Sequence, residues 1–316
     1  MTAEQNENEQ PATSQPQAAT GPEGYRAGFV ALIGRPNVGK STLLNQVLGR
    51  KLAIVTPKPQ TTRHRILGIE TRATAQFLFV DTPGLHQAHN LLGERMVRAA
   101  RQSLADADVA LWVVDAEAGI REDDRALAGE LANVRQPVVI ALNKIDRVPR
   151  AKLMALAQQL GELLPARHLV PVSALEGENV PELLRTVEQH LPLSPALFPA
   201  DVQTDLPERF FAAEIVREQL MLATHEEVPY QTAVRIEGFT EREGRNLVVI
   251  EATIVVARVS QRAIVLGEKG ARIKHIGQGA RRELEAFLGT RVYLELHVKV
   301  DERWFTKAHV LGELGL

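Results

Sequence analysis

The chain has 316 residues, 45% of them hydrophobic, a formal net charge of −2 and no cysteine. That length suggests about two domains with apolar material for a core in each. The absence of cysteine excludes disulfides, thiolate zinc sites and thiol catalysis, and the near-neutral charge requires any nucleic-acid site to be local.

Residues 1–24 are mostly Gln, Glu, Pro, Ala and Thr, with almost no large apolar side chain. Such a segment cannot bury enough surface to order itself and is expected to be a disordered tail. It carries no signal-peptide pattern, and no apolar run approaches the length of a membrane span, so a soluble cytoplasmic protein is expected. The nine histidines show no ligand-like clustering.

From residue 27 to 191 apolar strands alternate with amphipathic helices, the pattern of an α/β domain whose mostly parallel sheet is covered on both faces. The strand at 28–33 runs into Gly34-Arg35-Pro36-Asn37-Val38-Gly39-Lys40-Ser41-Thr42, where a helix begins. This G-x-x-x-x-G-K-[ST] loop aims backbone N–H groups and a helix N-terminus at phosphate. Gly34 and Gly39 permit the backbone angles and the close approach. Lys40 supplies a point charge to the β- and γ-phosphates, and the Ser41 hydroxyl is placed to ligate Mg²⁺. The loop alone leaves ATP and GTP open.

The strand at 77–80 ends in Asp81-Thr82-Pro83-Gly84-Leu85. Asp81 is suited to hold Mg²⁺ through water, and the Gly84 N–H to sense the γ-phosphate. Helices at 92–104 and 121–134 flank a strand at 109–114, and the strand at 138–142 closes on Asn143-Lys144-Ile145-Asp146. Asp146 can accept from both N1–H and the exocyclic amine of guanine. Adenine lacks that amine, and a site that hydrogen-bonds a group its competitor lacks discriminates by roughly 10⁴-fold. After a helix at 151–164, the strand at 169–172 leads to Ser173-Ala174, where the Ala174 N–H is expected to face guanine O6. A helix at 180–191 follows. Four parts in this order, each at a strand end where open α/β sheets bind ligands, identify a GTPase domain over 25–191.

Pro192, Pro195, Pro199 and Pro207 punctuate an expected linker over 192–207. Beyond it, 208–223 reads as a helix, 230–239 and 247–258 as strands joined across Gly244-Arg245-Asn246, and 261–266 as a short helix. Gly267-Glu268-Lys269-Gly270 precedes a helix at 272–288 and a strand with Val292, Leu294, Leu296, Val298 and Val300 on one face. Helices on one side of a small sheet, with Gly-x-x-Gly between two of them, look like an α+β KH domain over 208–316, whose tight loop clamps single-stranded RNA. Lys269, Arg272, Lys274, Arg281 and Arg282 follow with no acid among them.

From about residue 25 onward the chain resembles the Era family of bacterial ribosome-assembly GTPases, in which a GTPase domain precedes a type II KH domain. Residues 34–41, Gln60-Thr61-Thr62-Arg63-His64, Asp81-Thr82-Pro83-Gly84-Leu85 and Gly267-Glu268-Lys269-Gly270 carry the resemblance. It implies binding of the 3′ end of 16S rRNA, a role in maturation of the 30S subunit and peripheral association with the inner face of the cell membrane. A monomer is expected. The resemblance also supplies the switch: Thr62, directly before Arg63, would fold over Mg²⁺ when the γ-phosphate is present. Lys40, Thr62, Asn37 and Gly84 are the expected catalytic set, and Asn37 matches a position that holds an activating K⁺ in related GTPases. Leu85 stands where Ras-like enzymes carry a water-orienting Gln. That substitution motivates a second reading, an RNA chaperone or scaffold with negligible turnover. A tRNA-modifying GTPase, the third reading, would lack the KH-like end.

Overall fold

The computed structural model describes residues 24–84, 91–165, 167–242, 244, 246–302, 304 and 311–312. The expected tail up to residue 23, Leu85 and Arg245 lie outside the described residues.

Six strands form the first sheet: β1 (Arg26–Ile33), β2 (Ile66–Thr71), β3 (Ala75–Asp81), β4 (Val109–Asp115), β5 (Val138–Asn143) and β6 (His168–Val172), in the order β2-β3-β1-β4-β5-β6. β2 pairs antiparallel with β3, and the other pairings are parallel. β3, β4 and β5 are buried over their whole length, which is why they read as unbroken apolar runs. On one face α1 (Lys40–Leu48) and α5 (Val180–Glu188) seat Leu43, Leu44, Leu183 and Val187 in the core. On the other, Leu104 of α2 (Leu91–Asp106), Leu127 and Leu131 of α3 (Glu122–Leu131) and Leu156 and Leu160 of α4 (Arg150–Leu163) do the same. Every motif of the phosphate and base sites therefore leaves the sheet at the carboxyl ends of its strands.

The proline-punctuated segment is packed onto this domain. Buried Gln76 of β3 accepts from the N–H groups of Leu197 and Phe198 at 2.7 and 2.9 Å and donates to the Phe198 carbonyl at 2.8 Å. Phe198 and Val202 cover Leu67, Ile69, Leu78 and Val80. The Ile69 N–H reaches the Gln203 carbonyl at 2.8 Å, so the edge strand β2 is covered.

The second sheet has the order β7-β8-β9, from β7 (Thr232–Arg242), β8 (Leu247–Val256) and β9 (Arg291–Val300), with β8 and β9 parallel. α6 (Glu208–Ala223) and α8 (Ala271–Leu288) lie on one face, burying Ile215, Val216, Leu220, Ile276, Ala280 and Leu284 against Ile250, Ala252 and Ile254. α7 (Val259–Leu266) ends at the Gly-x-x-Gly loop. The strand expected from 230 begins at Thr232, because Val228–Gln231 makes a 3-10 turn around Pro229, which cannot donate to a ladder. It then extends to Arg242 through a register shift between Ile236 and Gly238.

Candidate functional site

A cavity of about 390 Å³ opens at the N-terminus of α1, lined in part by Asn37, Lys40, Ser41, Thr62, Gly84 and Lys144. Lys40 Nζ crosses the loop and donates to the carbonyl oxygens of Gly34 and Arg35, each at 3.0 Å. Burial pushes its pKa down to about 8, against the opposing pull of the Asp81 charge. Asp81 is fully buried; its Oδ2 accepts from Ser41 Oγ at 2.6 Å and from Thr62 Oγ1 at 3.3 Å. The two hydroxyl oxygens are 2.9 Å apart. Thr61 Oγ1 instead donates to the Lys58 carbonyl at 2.7 Å, so of the two threonines only Thr62 joins Ser41 and Asp81. Burial raises the Asp81 pKa, with the Lys40 charge and the Ser41 and Thr62 hydroxyls pulling the other way. Its Oδ1 is buried with no hydrogen-bond partner among the described residues. A carboxylate oxygen left in that state, beside two hydroxyls, fits a hard divalent cation. Gly84 packs so closely on the loop that a β-carbon there would stand 2.7 Å from the Pro36 nitrogen.

On the base side Asn143 ties two loops together: its Nδ2 donates to the Val38 carbonyl and its Oδ1 accepts from the Ala174 N–H, both at 2.9 Å. The Ala174 N–H, expected at guanine O6, thus lies beside Asn143 at the same end of the sheet. Asp146 Oδ1 accepts from Ser173 Oγ at 2.6 Å, which fixes the carboxylate just beyond the end of β5. Lys144, at a left-handed φ of 66°, donates to Asp115 Oδ2 at 2.6 Å. Asp115, at the end of β4, also accepts from the Glu117 and Ala118 N–H groups. The sequence reading missed Asp115 because it belongs to no motif; its position at a strand end facing Asn143-Lys144 was the available signal.

Three residues of the expected nucleotide set direct their side chains into the protein. Arg35 Nε donates to buried Asp124 Oδ2 at 2.7 Å, pinning the phosphate loop to α3. Val38 is in the apolar core, and Thr82 Oγ1 donates to the Leu32 carbonyl at 2.9 Å. Asn37 sits on the cavity wall, where its Nδ2 donates to the Pro57 carbonyl at 2.9 Å.

In the second domain Gly267, Lys269 and Gly270 adopt positive φ of 70°, 48° and 79°, and Glu268 is exposed beside them. A shallow groove joins this loop to the end of α6 and is lined by Leu222, His225, Gly267, Glu268, Arg272 and His275. Sequence reasoning did not include Leu222, His225 or His275, which reach the groove only through packing of α6 beside α8. The basic run does not converge. At about 100° per residue, Lys274 and Arg281 share a face of α8 that points away from Arg272, and Arg282 lies between. Arg272 itself donates back to the Ile264 carbonyl.

Fold and cleft together place the first domain among the P-loop GTPases, with a KH domain behind it. A family model described as "50S ribosome-binding GTPase" matches residues 29–144, and one described as "KH domain" matches 227–305. The chain is 46% identical over 291 residues to GTPase Era of Syntrophus aciditrophicus, covering 92% of this chain and 95% of that protein. It is 48% identical over 292 residues to GTPase Era of Trichlorobacter lovleyi, covering 92% and 98%. Among solved structures it matches a point variant of Aquifex aeolicus Era bound to GDP·AlF₄⁻ with a TM-score of 0.88 and 43% identity, over 92% of this chain and 99% of that one. It matches Era in complex with MgGDPNP and nucleotides 1506–1542 of 16S ribosomal RNA with a TM-score of 0.88, 42% identity and the same coverage. The chain belongs to the Era family and hydrolyses GTP to GDP and phosphate.

Proposed function

We propose that this GTPase binds the 3′ end of 16S rRNA through the loop at 267–270 and acts in maturation of the 30S subunit, with GTP hydrolysis as its conformational switch. The observation that carries the reading is the likeness, over 92% of the chain, to an Era structure holding both a GTP analogue and that RNA. The description of the family model matching 29–144 speaks of the 50S subunit. The RNA-bound relative is the more specific guide, because it matches both domains. Domain limits of 25–191, 192–207 and 208–316 follow from the same reading.

Ser41, Thr62 and Asp81 would hold Mg²⁺. Held there, the ion would supply positive charge against the charge that develops in phosphoryl transfer. Around it Lys40 binds the phosphates, Gly84 brings its N–H to the γ-phosphate, and Asp146 selects guanine. Asn37 and Pro57 both line the cavity, and side-chain amide and backbone carbonyl groups are ligand types that suit K⁺. Hydrolysis is then faster in potassium than in sodium, and Asn37→Ala removes the difference; equal rates in both salts refute the K⁺ site. Among the described residues no helix is long and apolar enough to cross a membrane. A cytoplasmic monomer that touches the membrane only peripherally belongs to the same proposal.

Gly270 tests the RNA assignment. Its φ of 79° suits glycine, and a β-carbon there meets nothing within 4 Å, so Gly270→Asp leaves the fold intact apart from local backbone strain. The added carboxylate repels phosphate. RNA binding is expected to be lost while GTP binding persists; normal rRNA binding by the variant refutes the KH reading.

A further inference from the structure

The segment carrying Thr62 is held from the second domain. α6 turns Glu214, Arg217, Glu218 and Met221 toward the first domain, the spacing of one helix face, and all four are buried. Arg217 donates from Nη2 to the Thr61 carbonyl at 2.5 Å and from Nε to Glu214 Oε1 at 2.7 Å. Arg63, two residues further along, donates from Nη1 to the Thr232 carbonyl at 2.6 Å and from Nη2 to the Pro229 carbonyl at 2.8 Å. His64 Nδ1 lies 3.7 Å from Glu214 Oε1. Upstream, Glu218 accepts from the Val55 N–H at 2.9 Å and pairs with Lys51. Thr62 is thus clasped between two guanidinium groups, one on each side along the chain, while its own hydroxyl points the other way to Ser41 and Asp81.

We propose that Arg217 is a positioning residue for the nucleotide site: by holding the Thr61 carbonyl it sets the Thr62 hydroxyl at Ser41 and Asp81, so the docked second domain completes the triphosphate-binding form of the first. The inference rests on the reading of Thr62 as a Mg²⁺ ligand. Charged donors on a buried carbonyl are among the stronger hydrogen bonds, and the Arg217–Glu214 pair is shielded from water. Glu214 fixes Arg217 rather than touching the first domain's threonines itself. Where Thr62 is not a ligand, as with GDP, the same contact would add nothing to nucleotide affinity. Arg217 therefore distinguishes GTP from GDP without contacting either.

The test uses the full chain and compares affinity for a nonhydrolysable GTP analogue with Mg²⁺ against affinity for GDP. Removing Arg217 alone leaves Glu214 buried without its hydrogen-bonded partner, with His64 at 3.7 Å, so the primary variant is Arg217→Met with Glu214→Gln, which neutralises the pair together. Analogue affinity is expected to fall about tenfold with GDP affinity within about twofold. Equal losses for both nucleotides, or no loss, overturn the proposal. Should the double variant fail to fold, judged by melting of the GDP complex, Arg217→Gln is expected to shift the ratio in the same direction. Thr62→Ala separates the two readings. If it leaves analogue affinity unchanged, the Mg²⁺ assignment of Thr62 fails, and the inference with it. If it lowers analogue affinity while the Arg217 variants do not, only the positioning role fails. In a double-mutant cycle the Arg217 change is expected to cost nothing further once Thr62 is Ala.

Discussion

Lys40 shows how a single residue ties sequence, burial and binding. The helix N-terminus and the loop carbonyls enclose its ammonium group, and burial brings its pKa down to about 8. Phosphate binding requires the charged form. Below pH 7 the lysine is already protonated in the free protein, so its titration leaves GTP affinity unchanged. Above pH 8 binding must take up a proton, and affinity falls as pH rises. Titration between pH 7 and 9 is expected to show about a tenfold loss, and Lys40→Arg, which stays charged, to flatten the profile. A profile of wild type that is flat to pH 9 would contradict a depressed lysine.

Among the elements, the segment expected as a linker, 192–207, packs along the first domain. Proline spacing marks it as irregular, and it is, but a buried amide on β3 and an exposed edge at β2 convert it into a strap. Gln76 is 0% exposed and satisfies three backbone groups of the strap. Gln76→Leu keeps the volume and strands those groups, at a cost of about 2–4 kcal/mol. A lower urea midpoint, with faster amide exchange at Leu197 and Phe198 than elsewhere in the domain, checks this. α6 carries the same lesson. Beyond Phe211, which joins the core of the first domain, its burial of Glu214, Arg217 and Glu218 makes the stripe facing that domain charged, while its other face packs in the core of the second.

Across both domains, the segment at 50–64 lines the nucleotide cavity and also touches α6 and α8. Lys51 bridges Glu218 and Glu283 at 2.5 and 3.0 Å, and the Arg50 guanidinium lies 4.9 Å from the centre of the Phe287 ring. α8, which carries Glu283 and Phe287, also begins at the Gly-x-x-Gly loop. Contacts therefore run without a break from the segment carrying Thr62 through α6 and α8 to the Gly-x-x-Gly loop. Linkage makes a strict demand of this arrangement: the factor by which a GTP analogue changes RNA affinity must equal the factor by which RNA changes analogue affinity, each relative to GDP. Titrating both ways checks it, with a factor of about 5 to 150 expected for such coupling. A ratio of one in both directions would mean that the domains are docked but not coupled.

The parts legible in the chain alone are those whose chemistry lies in contiguous residues. A phosphate loop works through its own backbone N–H groups, and the Asn-Lys-x-Asp and Gly-x-x-Gly turns present neighbouring groups from one strand end or helix start. Local spacing therefore suffices to read them, and the buried parallel strands announce themselves as apolar runs. β2 did not, because an edge strand containing Gly68 and ending in Glu70 and Thr71 has neither a long run nor a clean alternation. Contacts between residues far apart in the chain emerge only on folding: Arg35 with Asp124, Asn143 with Val38 and Ala174, Gln76 with the strap, and Arg217 with Thr61. Each is a polar group whose partner is a distant backbone atom or carboxylate. No local period or motif encodes such a partner, because the requirement to satisfy a buried donor or acceptor is met only when packing brings the two segments together.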